Sequence, residues 1–124
     1  MESIESYRDL RVWQLGLQLA KDCYIFTRTF PRDELFGMTS QIRRASASIP
    51  ANIAEGNGRE NTGEYIRFLR IAQGSLKELE THLILSREIE IAREEDINRF
   101  LAVTGELGKM IRSLIRNLQR RLVD

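Results

Sequence analysis

One cysteine and one histidine stand in 124 residues, and each scarcity removes a class of function. A lone Cys23 permits no intramolecular disulfide and no cysteine-based zinc site. A di-iron helical bundle needs two Glu-x-x-His motifs and two further glutamates, but the residue three before His82 is Leu79, so not even one motif is present. A Ser-His or Cys-His nucleophilic pair would have to use the same His82, and nothing in the spacing sets Cys23 or a serine beside it. No Gly-x-x-x-x-Gly-Lys-Ser/Thr loop is available for phosphates. No apolar run approaches the ~20 residues that a membrane span needs, and no charged-then-apolar leader opens the chain, so the expected location is cytoplasmic. The net charge of +1, from 19 basic and 18 acidic residues, excludes strong global attraction to nucleic acid and leaves only local clusters.

What is present is helical. Hydrophobic residues make up 42% and charged residues 30%, a balance suited to a helical protein with a real core. The most informative stretch is Gln41 to Arg59, QIRRASASIPANIAEGNGR. Ile42, Ala45, Ile49 and Ile53 recur at three- and four-residue steps, so one apolar face continues from before Pro50 to beyond it. Pro50 has no N–H for the Ser46 carbonyl and crowds it, at a cost of about 3 kcal/mol, so a kinked helix is expected, with a break into two helices as the alternative. The small residues Ala45 to Ser48 leave room for a neighbouring helix, and the Ser46 hydroxyl is positioned to satisfy a freed backbone group. Gly56-Asn57-Gly58 then supplies residues that tolerate a left-handed stop.

Three further helices follow from periodicity. In the first, Leu10, Trp13, Leu17, Ala20 and Tyr24 form one seam and Val12, Leu15, Leu19, Cys23 and Phe26 a second, an arc wider than the ~100° stripe of a surface helix. Phe30 to Asp33 ends it, with Asp33 a candidate N-cap for the next helix. In the third, capped by Asn61 or Thr62, Tyr65, Leu69, Ala72, Leu76, Leu79, Leu83 and Ser86 keep a four-three alternation. Gly74 weakens this helix, and close backbone contact is the expected compensation. In the fourth, Ile97, Leu101, Thr104, Gly108, Ile111, Ile115, Leu118 and Leu122 form the main seam, and Phe100, Val103, Leu107, Met110 and Leu114 widen it. The expected organisation is one all-α domain over residues 1–124, an antiparallel up-down-up-down four-helix bundle with helices at about 8–29, 34–55, 62–90 and 94–122. The extra apolar arcs on the first and last helices predict a homo-oligomer.

Carboxylate groups such as Glu78 with Glu80, or Glu94, Glu95 and Asp96, sit where side chains are ordinarily solvated, so neither a metal-dependent hydrolase nor any other enzyme is expected, and no cofactor, metal or small-molecule substrate is implied. The basic residues say more. Lys109, Arg112, Arg116 and Arg120 recur on the polar side of the last helix, with Arg121 adjacent and no acid before Asp124. Such a stripe suits phosphates, although cations near a helix C-terminus also favour the macrodipole. Arg43 and Arg44 pose the same question beside the proline, and one of them is expected to bond a glutamate across the bundle, Glu55 or Glu78. Asn52 and Glu55 are expected to form a structural polar network at the bend, and Trp13 and Tyr65 to lie in the core.

YRDLRVWQLGLQLA near the start, TSQIRRASASIPANIAEGNGR, EYIRFLRIAQGSLKELETHL and the long last helix together resemble the four-helix-bundle proteins encoded within intervening sequences of bacterial 23S ribosomal RNA genes, over about Tyr7 to Leu122. The resemblance implies an antiparallel bundle assembled as a homopentamer. It also implies a relation to the accessory variability determinant proteins of diversity-generating retroelements, which bind nucleic acid and a reverse transcriptase. It carries no established catalytic residue. The expected function is therefore a non-enzymatic oligomeric bundle that binds structured RNA or a nucleic-acid–protein complex, with Arg43, Arg44, Lys109, Arg112, Arg116, Arg120 and Arg121 as the expected contacts. The alternative is a structural ring that binds a polypeptide without nucleic acid.

Overall fold

A computed structural model describes residues 6–123. Four long helices carry the fold: α1 (Arg11–Thr27), α2 (Ser40–Asn57), α3 (Thr62–Glu88) and α4 (Glu94–Val123), with no strand among the described residues. A 3₁₀ turn, Tyr7–Asp9, leads into α1 and is closed by a capping box between Ser6 and Asp9. Two irregular turns, a 3₁₀ turn at Arg32–Glu34 and a π turn at Leu35–Thr39, lead into α2.

Side chains that meet across the helices fix their directions. Between α1 and α2, Thr27 meets Arg43 while Gly16 lies against Ile49 and Pro50. Between α2 and α3, Arg44 meets Glu78, Ser48 meets Ser75, and Gly56 lies against Tyr65 and Phe68. Between α3 and α4, Glu80 meets Thr104 and Arg87 meets Asn98, while Gly108 lies against Leu76. In each pair one residue number rises as its partner's falls, so consecutive helices run antiparallel. The Phe26 and Phe100 rings, 5.0 Å apart, close the cycle by joining α1 to α4. The α1–α2 and α3–α4 faces therefore lie on opposite sides of the bundle.

The core follows the seams. Leu19 and Cys23 of α1, Ile42, Ile49 and Ile53 of α2, Leu69, Leu76, Leu79 and Leu83 of α3, and Ile97, Leu107 and Ile111 of α4 are almost wholly withdrawn from solvent. Burial of each large aliphatic side chain contributes about 1.5–3 kcal/mol. On α1 the second seam is the core-facing one, whereas Leu17 and Tyr24 of the first seam remain 47% and 46% exposed. On α4 the flanking residues Phe100, Val103, Met110 and Leu114 pack against the core, and Leu122, expected in the seam, lies exposed beyond its end. The exposed large apolar side chains therefore sit on α1 (Leu17, Tyr24, Ile25), in the turn before α2 (Leu35, Phe36), on and just past α3 (Ile71, Ile84, Leu85, Ile89), and on α4 only at its tip.

α2 runs unbroken through Pro50. The Ser46 hydroxyl does not meet the freed carbonyl but donates to the Arg43 carbonyl at 3.1 Å. Three glycine expectations change. α2 ends without a left-handed residue, since Gly58 has φ −76°. Gly56 is required instead by packing: a Cβ there would lie 2.8 Å from Phe68 Cβ. Gly74 has open space around it, with nothing within 4 Å of a Cβ, so no close backbone contact compensates it. The left-handed residue is Glu90, at φ 64°, where the chain leaves α3.

Capping is partly as expected. Asn61 accepts from the Glu64 N–H at 3.0 Å to open α3. Before α2 it is Glu34, not Asp33, whose carboxylate accepts an N–H, that of Met38 at 3.0 Å. α2 itself begins at Ser40, later than the expected start, because the two irregular turns take up the preceding residues.

Candidate nucleic-acid interface

The amphipathic pattern of α4 buries Leu107, Gly108, Ile111, Ile115 and Leu118, and that leaves Lys109, Arg112, Arg116, Arg120 and Arg121 in solvent. Among the described residues none of these five has an ion-pair partner; Arg120 donates to Asn117 at 3.2 Å. The half of α4 from residue 107 to residue 123 contains no acid at all. The near-neutral balance of the chain thus conceals segregation: three of the four acids of α4 stand at its start, where Asp96 pairs with Arg93 and Arg99, and the fourth is Glu106.

Antiparallel packing adds α3 to this surface. Gln73, Gly74, Leu76 and Lys77 face Gly108 and Arg112 across a shallow groove of about 310 Å³. Arg70, exposed and one helical turn before Gly74, extends the same strip of α3. Arg116, Gln119, Arg120 and Val123 line a second depression farther along α4. Periodicity in the sequence does not single out Arg70 and Lys77. Their spacing with Gly74 marked one strip of α3, but only the pairing with α4 shows which helix that strip adjoins. Lys77 is the one member with an acidic partner, Glu80 at 2.9 Å. Glu80 in turn accepts from the buried Thr104 hydroxyl at 2.7 Å, so it is tied to α4. Arg121 lies toward the start of α3, near enough for its charge to act on Tyr65; burial nevertheless raises the Tyr65 hydroxyl above its ordinary range.

Arg43 and Arg44 stand apart from this surface. Arg43 donates to the Thr27 hydroxyl at 2.9 Å and the Tyr24 carbonyl at 3.3 Å, and its guanidinium covers the Tyr24 ring at 4.7 Å, so it clamps the end of α1 to α2. Arg44 bonds Glu78 at 3.0 Å and Gln41 at 2.7 Å, which makes it the arginine that crosses to a glutamate. The polar network at Pro50 is also different from expectation. Asn52 donates to the Ser48 carbonyl and hydroxyl, and Ser48 bonds Ser75 at 2.8 Å. Glu55 pairs with Arg59 at 3.0 Å instead of joining them.

The remaining chemistry-bearing groups are engaged in the fold. Cys23 is fully buried, and burial pushes its thiol up to about 12, with a smaller opposing effect from a Ser46 hydrogen bond. His82, half-buried on α3, lies 3.6 Å from Glu78. Tyr65 accepts from Asn57 at 3.2 Å, and Trp13 packs edge-on against Tyr7. Among the described residues no three His, Cys, Asp or Glu side chains gather closely enough to hold a metal ion. No described helix is long and apolar enough to cross a membrane.

Comparison with known proteins adds two findings. A family model described as 23S rRNA-intervening sequence protein matches residues 8–113. A crystal structure of a protein of unknown function from the S23 ribosomal protein family of Bacteroides thetaiotaomicron superposes with a TM-score of 0.76 at 28% identity, covering 84% of this chain and 97% of that one. No curated protein matches.

Proposed function

The chain belongs to the 23S rRNA-intervening sequence protein family, and on that premise we propose that it is a non-enzymatic, oligomeric cytoplasmic bundle that binds structured RNA through its α3–α4 face. The observation that carries this reading is the acid-free basic half of α4, joined across a shallow groove by Lys77 and flanked by Arg70. A basic stripe on one helix alone is adequately explained by the macrodipole and by solubility. A basic surface continued onto a second helix, whose own dipole runs the other way, is not. Arginine supplies most of it, and the planar guanidinium suits phosphate oxygens. The contacts are to the backbone, so binding is largely independent of sequence and weakens with salt. The assembly is the homopentamer that the family resemblance implies, which repeats this face around the ring.

The test is RNA binding by the purified protein over a salt series, with mass fixed by light scattering. Four or five phosphates per subunit give a log–log salt slope of roughly −3 to −4 for each engaged subunit. Reversal of two charges, Arg112→Glu with Arg116→Glu, should abolish binding at moderate salt and leave helical content and mass unchanged. Undiminished affinity in that variant would reduce the stripe to a solvated face. The second reading, a ring that binds a polypeptide without nucleic acid, is favoured by the exposed apolar residues of α1, and it predicts no salt-sensitive RNA affinity in the wild type.

A further inference from the structure

The basic face leaves the exposed apolar residues unexplained. Phe36 is 93% exposed and Leu35 49% exposed, at the start of the π turn before α2. The turn is not loose. Met38 and Thr39 are buried beneath it, the Glu34 carboxylate holds the Met38 N–H, and Gly37 takes a non-helical backbone at φ −107° and ψ −112°. The fold thus holds a Leu-Phe pair outward as a fixed knob, in contact with nothing that would withdraw the Phe36 ring from water.

Two open apolar grooves could receive it. One, of about 510 Å³, runs between α1 and α2 over Trp13, Leu17, Tyr24, Ala47, Pro50 and Ala51. The other, of about 340 Å³, runs between α1 and α4 over Ile25, Phe26, Phe100 and Val103. Charge separates them. The knob is preceded by Arg32, Asp33 and Glu34, a net charge of −1, and Asp33 is exposed without an ion-pair partner among the described residues. The α1–α4 groove carries Asp22 and Asp96, with Asp96 already holding Arg99, so it opposes an acidic visitor. In the α1–α2 groove the charged lining residue is Lys21, exposed and likewise without an ion-pair partner among the described residues.

We infer that the Leu35–Phe36 knob of one copy seats in the α1–α2 groove of a second copy, with Asp33 beside Lys21. The inference rests on the oligomeric reading above and specifies its interface. Within one copy the knob stands clear of the groove, so the occupant comes from another chain. Knob and groove are different surfaces, so the contact is heterologous, and repeated addition gives a ring if the rotation closes. The basic α3–α4 face lies on the opposite side of the bundle and stays free.

A complementation experiment tests this. Phe36→Glu removes the knob and keeps the groove, whereas Leu17→Glu spoils the groove and keeps the knob; both residues are exposed, so circular dichroism should show native helix in each variant. The wild type should self-associate and each variant should sediment as a monomer. Mixed over a range of concentrations, the two variants should form a one-to-one heterodimer through the single intact interface. Self-association that survives Phe36→Glu, or monomeric variants that do not combine, would overturn the heterologous interface. A monomeric wild type would overturn both it and the oligomeric reading, whereas an assembled Phe36→Glu variant would sink the interface alone.

Discussion

At the residue scale, the eight glycines separate into positions with opposite mutational signs. At Gly56 an added methyl meets the Phe68 Cβ at 2.8 Å and the Tyr65 carbonyl at 3.2 Å, and neither neighbour can yield without moving α3. Gly56→Ala should therefore destabilise by about 1–3 kcal/mol in denaturant unfolding. Gly74 is exposed mid-helix with room for a methyl, so Gly74→Ala should stabilise by about 0.5–1 kcal/mol in the same measurement. The sequence marked both residues as unusual but assigned them the wrong reasons. A glycine that ends a helix and one that admits a neighbour are spelled alike, and only the opposing helix distinguishes them. Cys23 was readable as core because its apolar neighbours recur at helical spacing. Its thiol, raised from 9.0 to about 12, gives a signed pH effect. The folded state holds the proton more tightly than the unfolded one, so this contribution is complete below pH 9 and is lost as pH rises from 9.0 toward about 12. Cys23→Ala should show a shallower alkaline decline in stability, and a thiol reagent should label the wild type only on unfolding.

At the element scale, helix number, order and core faces were legible because each long helix keeps its three-four spacing for several turns. The connection between α1 and α2 was not. Periodicity places a helix from about residue 34, but irregular turns occupy Arg32–Thr39, and the backbone at Gly37 that separates them from α2 leaves no trace in hydrophobic spacing. Arginine roles were hidden for a related reason. A guanidinium reaches far enough that its partner is set by tertiary neighbours, and adjacent Arg43 and Arg44 turn to different helices. Arg43→Ala removes two hydrogen bonds and the cover over Tyr24, and should cost about 1–2 kcal/mol of stability while leaving RNA affinity unchanged. Arg44→Ala breaks a pair whose side chains are 66% and 41% exposed, so its cost should stay within about 1 kcal/mol. Loss of RNA affinity in Arg43→Ala at unchanged stability would mean that the α1–α2 clamp had been misassigned.

At the scale of the whole molecule, the cyclic order of the helices separates two surfaces that composition averages to a net charge of +1. The α1–α2 side is apolar and the α3–α4 side is basic, and they lie on opposite sides of the bundle, so assembly and RNA binding should be separable by mutation. Arg112→Glu with Arg116→Glu should keep the wild-type mass and lose RNA. Phe36→Glu should do the reverse: a monomer with an intact basic face, whose affinity falls because one face replaces several. Linked sites raise avidity by about 10²–10⁴ when one ligand spans them, so the drop should be large on a long RNA and small on a fragment that covers a single subunit. The salt dependence carries the same information in another form. If one subunit contributes a slope of roughly −3 to −4, an assembly engaged through several subunits must show a multiple of it, and the Phe36→Glu monomer must return to the single value. An equal slope in monomer and assembly would mean that RNA touches only one subunit at a time, and repetition of the basic face would then add binding sites without adding grip.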